Sequence, residues 1–354
     1  MKQRVQRFWW MLPVCLIVGS IVAAGIIAKP QPRQVAADVV VDCSGAQAEE
    51  FSCWEQRYKA MVGQQSPKTA LADVRQASNI TPYVKTNCHQ IAHVIGRAAG
   101  EKYGNVGKAY SMGDDFCWSG YYHGVMEAVA LAMGAREVIT HMNDICQALR
   151  QEREYSFAHY NCVHGLGHGV MALEGNDLFG ALKLCDNLVG EWQQQSCQGG
   201  VFMENIIGEF KNNGQKSRFL KDDDPLYPCT AVGDTYKYQC YLSQTSHALV
   251  VLHEDYGKVF ALCNTVDQPY SVTCYESLGR DISGHSSSNL ELTKTHCLNA
   301  PSFEAREHCI IGAVKDFISY YHSDTQGLEL CNALPDARIR QVCLDTAHTY
   351  YQSF

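Results

Sequence analysis

Beyond its first 29 residues this 354-residue chain has no Lys/Arg-rich run, and its formal net charge is −8. Nucleic-acid binding needs a basic patch or stripe, so that class of partner is excluded. The chain holds 17 cysteines, yet no C-x2-C occurs among them. Cysteine zinc sites usually set two ligands a few residues apart, so zinc ligation by these cysteines is rejected. No C-x-x-C-H occurs either, which excludes covalent haem c. Ser- or Gln-rich low-complexity stretches are also missing, so the region after the N-terminus is expected to fold.

One long apolar run is present. Phe8 to Ala28 carries no charge over 21 residues, and a helix needs about 20 apolar residues to cross a bilayer. Lys2, Arg4 and Arg7 precede it with no acidic residue among them. That flank stays in the cytoplasm and sends the remainder outward. A cleaved signal peptide would have an apolar core of about 7–15 residues ending in a small-x-small site. The run here is longer and passes directly into Lys29-Pro30, so residues 1–29 are expected to be an uncleaved signal-anchor helix. Cys15 then lies inside the membrane. Residues 30–42 read as a linker, and everything beyond as extracellular or periplasmic.

Setting Cys15 aside leaves an even number of cysteines, and their spacing is regular. The pairs Cys185/Cys197, Cys229/Cys240, Cys263/Cys274, Cys297/Cys309 and Cys331/Cys343 are each 11 or 12 residues apart. Cys146/Cys162 continues the series at a spacing of 16. The second members recur at steps of 35, 43, 34, 35 and 34, with the long step explained by a surface loop over Lys211 to Pro225. A period near 34 with cysteines in phase marks an internal repeat of the solenoid kind. In each unit a helix ends near the first cysteine, as in KVFALC and GLELC, and a second helix opens around the second, as in VTCYESLG and EHCIIGAV. Across an antiparallel turn two such cysteines fall within the Cα separation that a disulfide requires. An oxidising compartment keeps the bond intact, in agreement with the outward topology.

A two-helix unit of about 34 residues with its own disulfide resembles the tetratricopeptide and Sel1-like class, especially its secreted cysteine-rich members. The resemblance covers residues 136–354, and 80–135 more weakly. It implies an all-α solenoid of antiparallel helix pairs. The W-x2-L-G-x2-Y consensus is absent and the cysteine spacing departs from the Sel1-like pattern, so no functional residue is carried over.

Residues 43–135 depart from the regular pattern. Cys88 and Cys117 both look like openings of inner helices, and neither has a cysteine 11 or 12 residues upstream. Elimination suggests a bridge between neighbouring helices, with Cys43 and Cys53 as the remaining pair, but spacing alone leaves the pairing of these four open. The same region holds the candidate chemistry. Aligned on their cysteines, three successive helices read CHQIAHVIG, CWSGYYHGVMEA and CVHGLGHGVMAL. They supply His89 and His93, His123 and Glu127, and His164 and His168, each pair spaced i, i+4 on one helix face. In a solenoid these faces are neighbours. Five imidazoles and a carboxylate in one groove suit zinc, with copper as second choice. Glu127 is expected as ligand or general base. Gly120, Gly124, Gly165, Gly167 and Gly169 lie in the same helices, at about 1 kcal/mol each against Ala. Close helix contact or close approach of a ligand must offset that.

Lesser candidates are Glu204 and His247, seven residues after their cysteines, and Asp222-Asp223-Asp224, which lacks a calcium-loop pattern. His253, His285, His296, His308, His322 and His348 form no cluster. Two functions from different classes follow. One is a metal-dependent enzyme or metal-handling protein of the cell envelope. The other is a metal-free envelope scaffold that binds protein or peptide partners on a concave face, with 19 tyrosines as contact residues.

Overall fold

The computed structural model describes residues 41–150, 156–211, 216–286 and 289–352. Among them the secondary structure is helical, with no strand. The α-helices are α1 (Phe51–Gln64), α2 (Pro67–Ile80), α3 (Pro82–Thr86), α4 (Cys88–Tyr103), α5 (Val106–Tyr110), α6 (Gly120–Met133), α7 (Ala135–Ile145), α8 (Phe157–Leu173), α9 (Leu178–Cys185), α10 (Glu191–Lys211), α11 (Asp234–Val251), α12 (Tyr256–Cys263), α13 (Tyr270–His285), α14 (Leu290–Leu298), α15 (Phe303–Tyr321), α16 (Thr325–Asn332) and α17 (Ala337–Gln352). The expected anchor, Phe8 to Ala28, lies outside the described residues, as does the linker up to residue 40. Among the described residues no helix is long and apolar enough to cross a membrane.

Short and long helices alternate in most of the chain. The outer helices α9, α12, α14 and α16 have eight or nine residues, and the inner helices α10, α13, α15 and α17 have 16 to 21. Starts are set locally. Ser66, Ser156, Asp255, Asn289 and Ser302 each turn a side-chain oxygen onto a backbone N–H of the first turn, satisfying a donor that has no partner within the helix. Between the two helices of a pair runs a disulfide. Cys146–Cys162, Cys185–Cys197, Cys229–Cys240, Cys263–Cys274, Cys297–Cys309 and Cys331–Cys343 all form, with Cα separations of 5.4–5.7 Å. Cys43 pairs with Cys53, and Cys88 with Cys117. Eight bonds of this kind belong to an oxidising compartment.

One unit departs from the pattern. No helix precedes Cys229: residues 218–232 run as turns and bends. Pro225 and Pro228 explain it, because each lacks the N–H that a helix interior needs. Cys117 is a second departure. It does not open a helix; Cys117, Trp118 and Ser119 all take positive φ (56°, 52° and 62°), and α6 starts after them at Gly120. Non-glycine residues rarely adopt this left-handed conformation.

The inner helices pack in chain order, α4 on α6, then α8, α10, α11, α13, α15 and α17. α6 meets α8 directly, so packing is continuous across the 135/136 junction. The series also curls. Trp118, at the entry to α6, donates its indole N–H to Asp316 of α15 at 2.9 Å, and His322 pairs with Asp115 at 3.3 Å. The first of those contacts joins residues 198 positions apart. Inside the curl lies a cavity of about 390 Å³ whose lining includes His89, Trp118, Ile206, His247, Arg280 and Asp316.

Candidate metal centre

Ordinary side chains at a helix–helix contact hold the axes about 8–10 Å apart. Between α4 and α6 the contact is made by backbone. A Cβ at Gly124 would collide with the His93 carbonyl, and one at Gly120 with the His89 carbonyl. Between α8 and α10, a Cβ at Gly167 would strike the Cys197 carbonyl and one at Gly200 the His164 carbonyl. Gly165 and Gly169 make room for the side chains of Met126 and Ala130 of α6. The helical glycines are therefore accounted for by close helix contact. That closeness has a chemical result, since side chains on adjoining faces are drawn within reach of one another.

His89, His93, His123, His164 and His168 converge in one buried cluster. Ring centroids lie 4.9 Å apart for His89/His93 and for His93/His168, and 5.4 Å for His93/His123. On the other side, His123/His164 stand at 4.7 Å and His164/His168 at 5.2 Å. Two triads, His89–His93–His123 and His123–His164–His168, each offer one ligand atom per residue, all within 4.8 Å of one another. Nitrogens bound to a common ion at about 2.1 Å would stand roughly 3.4 Å apart, so modest side-chain rotation closes either triad. Both triads can hold a metal ion.

The hydrogen-bond network assigns the protons. Asn161 donates its Nδ2 to the Phe157 carbonyl at 2.9 Å, which turns Oδ1 toward His123 Nε2 at 3.1 Å. An amide oxygen only accepts, so Nε2 of His123 carries the proton and Nδ1 carries the lone pair. That Nδ1 is buried and makes no hydrogen bond, and the same holds for His164 Nε2. His89 Nδ1 lies 2.9 Å from the Cys117 carbonyl, so it too is the donor and Nε2 is the basic nitrogen. His168 Nδ1 sits 2.7 Å from a Glu204 oxygen, the carboxylate–histidine contact that commonly orients a metal ligand. Burial, followed by the charges of neighbouring histidines, holds His123 and His164 well below the ordinary imidazole range. Both are neutral at physiological pH, the state in which imidazole binds metal.

Glu127 is not among the residues brought into the triads. Its Oε2 stands 4.0 Å from His93 Nδ1, and its Oε1 3.6 Å from Arg97. One helical turn beyond His123, the Glu127 side chain stands between His93 and the Arg97 guanidinium of α4. Glu204 supports His168 from outside. His247 points away from the cluster, with Nε2 3.1 Å from the Lys221 carbonyl. Asp222 is exposed and pairs with Lys216. Sequence reasoning passed over Asn161, although the repeated Asn-Cys of TNC (residues 86–88) and YNC (residues 160–162) marks a common position at the start of α4 and near that of α8.

Comparison with family models, with curated proteins and with solved structures finds no match for this chain.

Proposed function

We propose that this protein is a membrane-anchored metal protein of the extracytoplasmic space that holds one first-row metal ion, zinc before copper, in the histidine centre. The observation that carries this reading is the pair of buried, hydrogen-bond-free nitrogens, His123 Nδ1 and His164 Nε2, within one cluster. A buried polar atom left without a partner costs roughly 1–3 kcal/mol, and a bound cation would remove that cost. One ion is preferred over two because both triads share His123, whose other nitrogen is committed to Asn161. Zinc accepts an all-imidazole shell without redox demands.

The frame is read as a solenoid of the tetratricopeptide and Sel1-like kind, on its period and its helix pairs. A catalytic role is favoured over a scaffold role by the cavity, because His89 borders both the cluster and that space. A scaffold would use an open concave face, and here the series curls onto itself through Trp118 and Asp316. Elemental analysis of the full chain purified in detergent from an oxidising compartment is the test. About one zinc or copper per chain is expected. A chain that stays metal-free after incubation with zinc, copper and cobalt in turn would remove the proposal.

A further inference from the structure

The cavity inside the curl has a charge pattern of its own. Asp316 lines it from α15 and is only 4% exposed. Its Oδ1 accepts the Trp118 indole N–H, and its Oδ2, beside the Ser283 hydroxyl, makes no hydrogen bond of good geometry. No cation stands within ion-pair distance of it among the described residues. The guanidinium of Arg280 also lines the cavity, but its donors are committed to the Leu242 carbonyl, the Ser246 hydroxyl and Asp281. Asp281 is correspondingly filled by Thr245, Ser246 and Arg280. Lys85 lies in the lining with an exposed side chain. Asp316 is thus a carboxyl group taken out of water with no cation in direct contact, an arrangement that favours a cation from elsewhere.

Two aromatic rings stand beside it. Trp118 and Tyr320 both line the cavity, with ring centroids 4.9 Å apart. Aromatic faces attract ammonium and guanidinium groups, Trp most strongly. Ile206, Ile207 and Val250 supply apolar wall for the rest of a ligand. The volume of about 390 Å³ is within the range of small-molecule sites.

We propose that this cavity binds a small cationic amine, with the ammonium group held at Asp316 against Trp118 and Tyr320 and an apolar body along Ile206 and Ile207. Burial already pushes the Asp316 carboxyl up to about 6, against the hydroxyl of Ser283, the Trp118 hydrogen bond and the more distant charge of Arg280. The site does not depend on an ion in the histidine centre, so the two proposals can fail separately.

The test is calorimetry on the chelator-treated full chain with 2-phenylethylamine and its uncharged analogue 2-phenylethanol. The amine should bind at least tenfold more tightly than the alcohol. Asp316→Asn keeps an oxygen for Trp118 while removing the charge; it should lose that tenfold preference and bind the alcohol as before, and Trp118→Phe should weaken the amine more than the alcohol. Equal binding of amine and alcohol by the wild-type chain, no heat from either at millimolar concentration, or an Asp316→Asn chain that keeps the full amine preference would each overturn the proposal. Should Asp316→Asn not fold, the wild-type ratio of amine to alcohol decides alone.

Discussion

Two stretches of the same helical series use one packing device for opposite ends. In α4, α6, α8 and α10, glycines let neighbouring backbones touch, and the faces so joined carry histidines. Between α13 and α15 the device recurs: a Cβ at Gly279 would strike the Cys309 carbonyl and one at Gly312 the Glu276 carbonyl. There, polar side chains on these helices and on α11 partner one another. Thr245 meets Ser277 at 2.5 Å and Asp281 at 2.6 Å, and Glu276 takes both His308 at 3.0 Å and Lys315 at 2.8 Å. Polar groups that partner one another inside a core rigidify it. The histidine cluster leaves nitrogens that the fold does not use. The same close packing therefore frames two different polar interiors.

The sharpest way to break this contrast is to remove ligands on one side only. His123→Ala with His168→Ala should abolish metal binding, from about one ion to none, since each triad loses a member. Thr245→Val in the other network should leave metal content unchanged while lowering stability. Elemental analysis beside thermal melts reads both, and a double variant that keeps its metal would end the distinction.

Next come the glycines themselves. Gly124→Ala and Gly312→Ala should each destabilise by about 3 kcal/mol, because the added methyl meets a carbonyl that cannot move aside. Only Gly124→Ala should also weaken metal affinity, through the spread of α4 from α6. Denaturant midpoints and a competition titration with a zinc dye would separate the two effects. Equal loss of affinity in both variants would mean that the site senses general stability and not local spacing.

The two regions should also respond to pH with opposite signs. His123 and His164 are held below the ordinary imidazole value, so the unfolded chain binds more protons and stability falls as pH drops below about 6.5. Asp316 is raised from 3.8 to about 6. The folded chain binds the extra proton, and that contribution is lost as pH rises through this window, on the order of 3 kcal/mol. Asp316→Asn should then be more stable than wild type at pH 7.5 and gain little at pH 4. Denaturation curves of both chains across pH 4–8 decide it; a constant difference would sink the assignment.

The smallest effect expected is at Glu204. Glu204→Gln keeps a partner for His168 but removes the charge, and loss of such outer support weakens metal affinity about 10–100-fold. Glu276→Gln, in the network beside His308, should leave affinity unaltered in the same titration.

Much of this was legible in the residues. The cysteine phase specified the helix pairs because a disulfide across a short turn demands a fixed spacing, and the i, i+4 histidines in phase with it specified which faces would meet. The helix expected before Cys229 failed for a local reason, the two prolines at 225 and 228. The Arg97 guanidinium beside Glu127, 3.6 Å away, was not legible either, because no spacing rule places it there. The curl was invisible for the same cause. Trp118 and Asp316 share no periodic relation, and only the accumulated rotation of the helix series brings them together.

That rotation imposes an order of events on the growing chain. Every residue of the histidine cluster, with Asn161 and Glu204, lies between positions 88 and 205, so the centre can be assembled from the first portion delivered to the oxidising side. The wall of the cavity waits for α15, more than a hundred residues later, because Trp118 has no Asp316 to hold until then. Contacts close in sequence form before distant ones, and segments delivered first fold first. The histidine cluster can therefore assemble early, and the cavity beside it gains its last wall only when the final helices arrive.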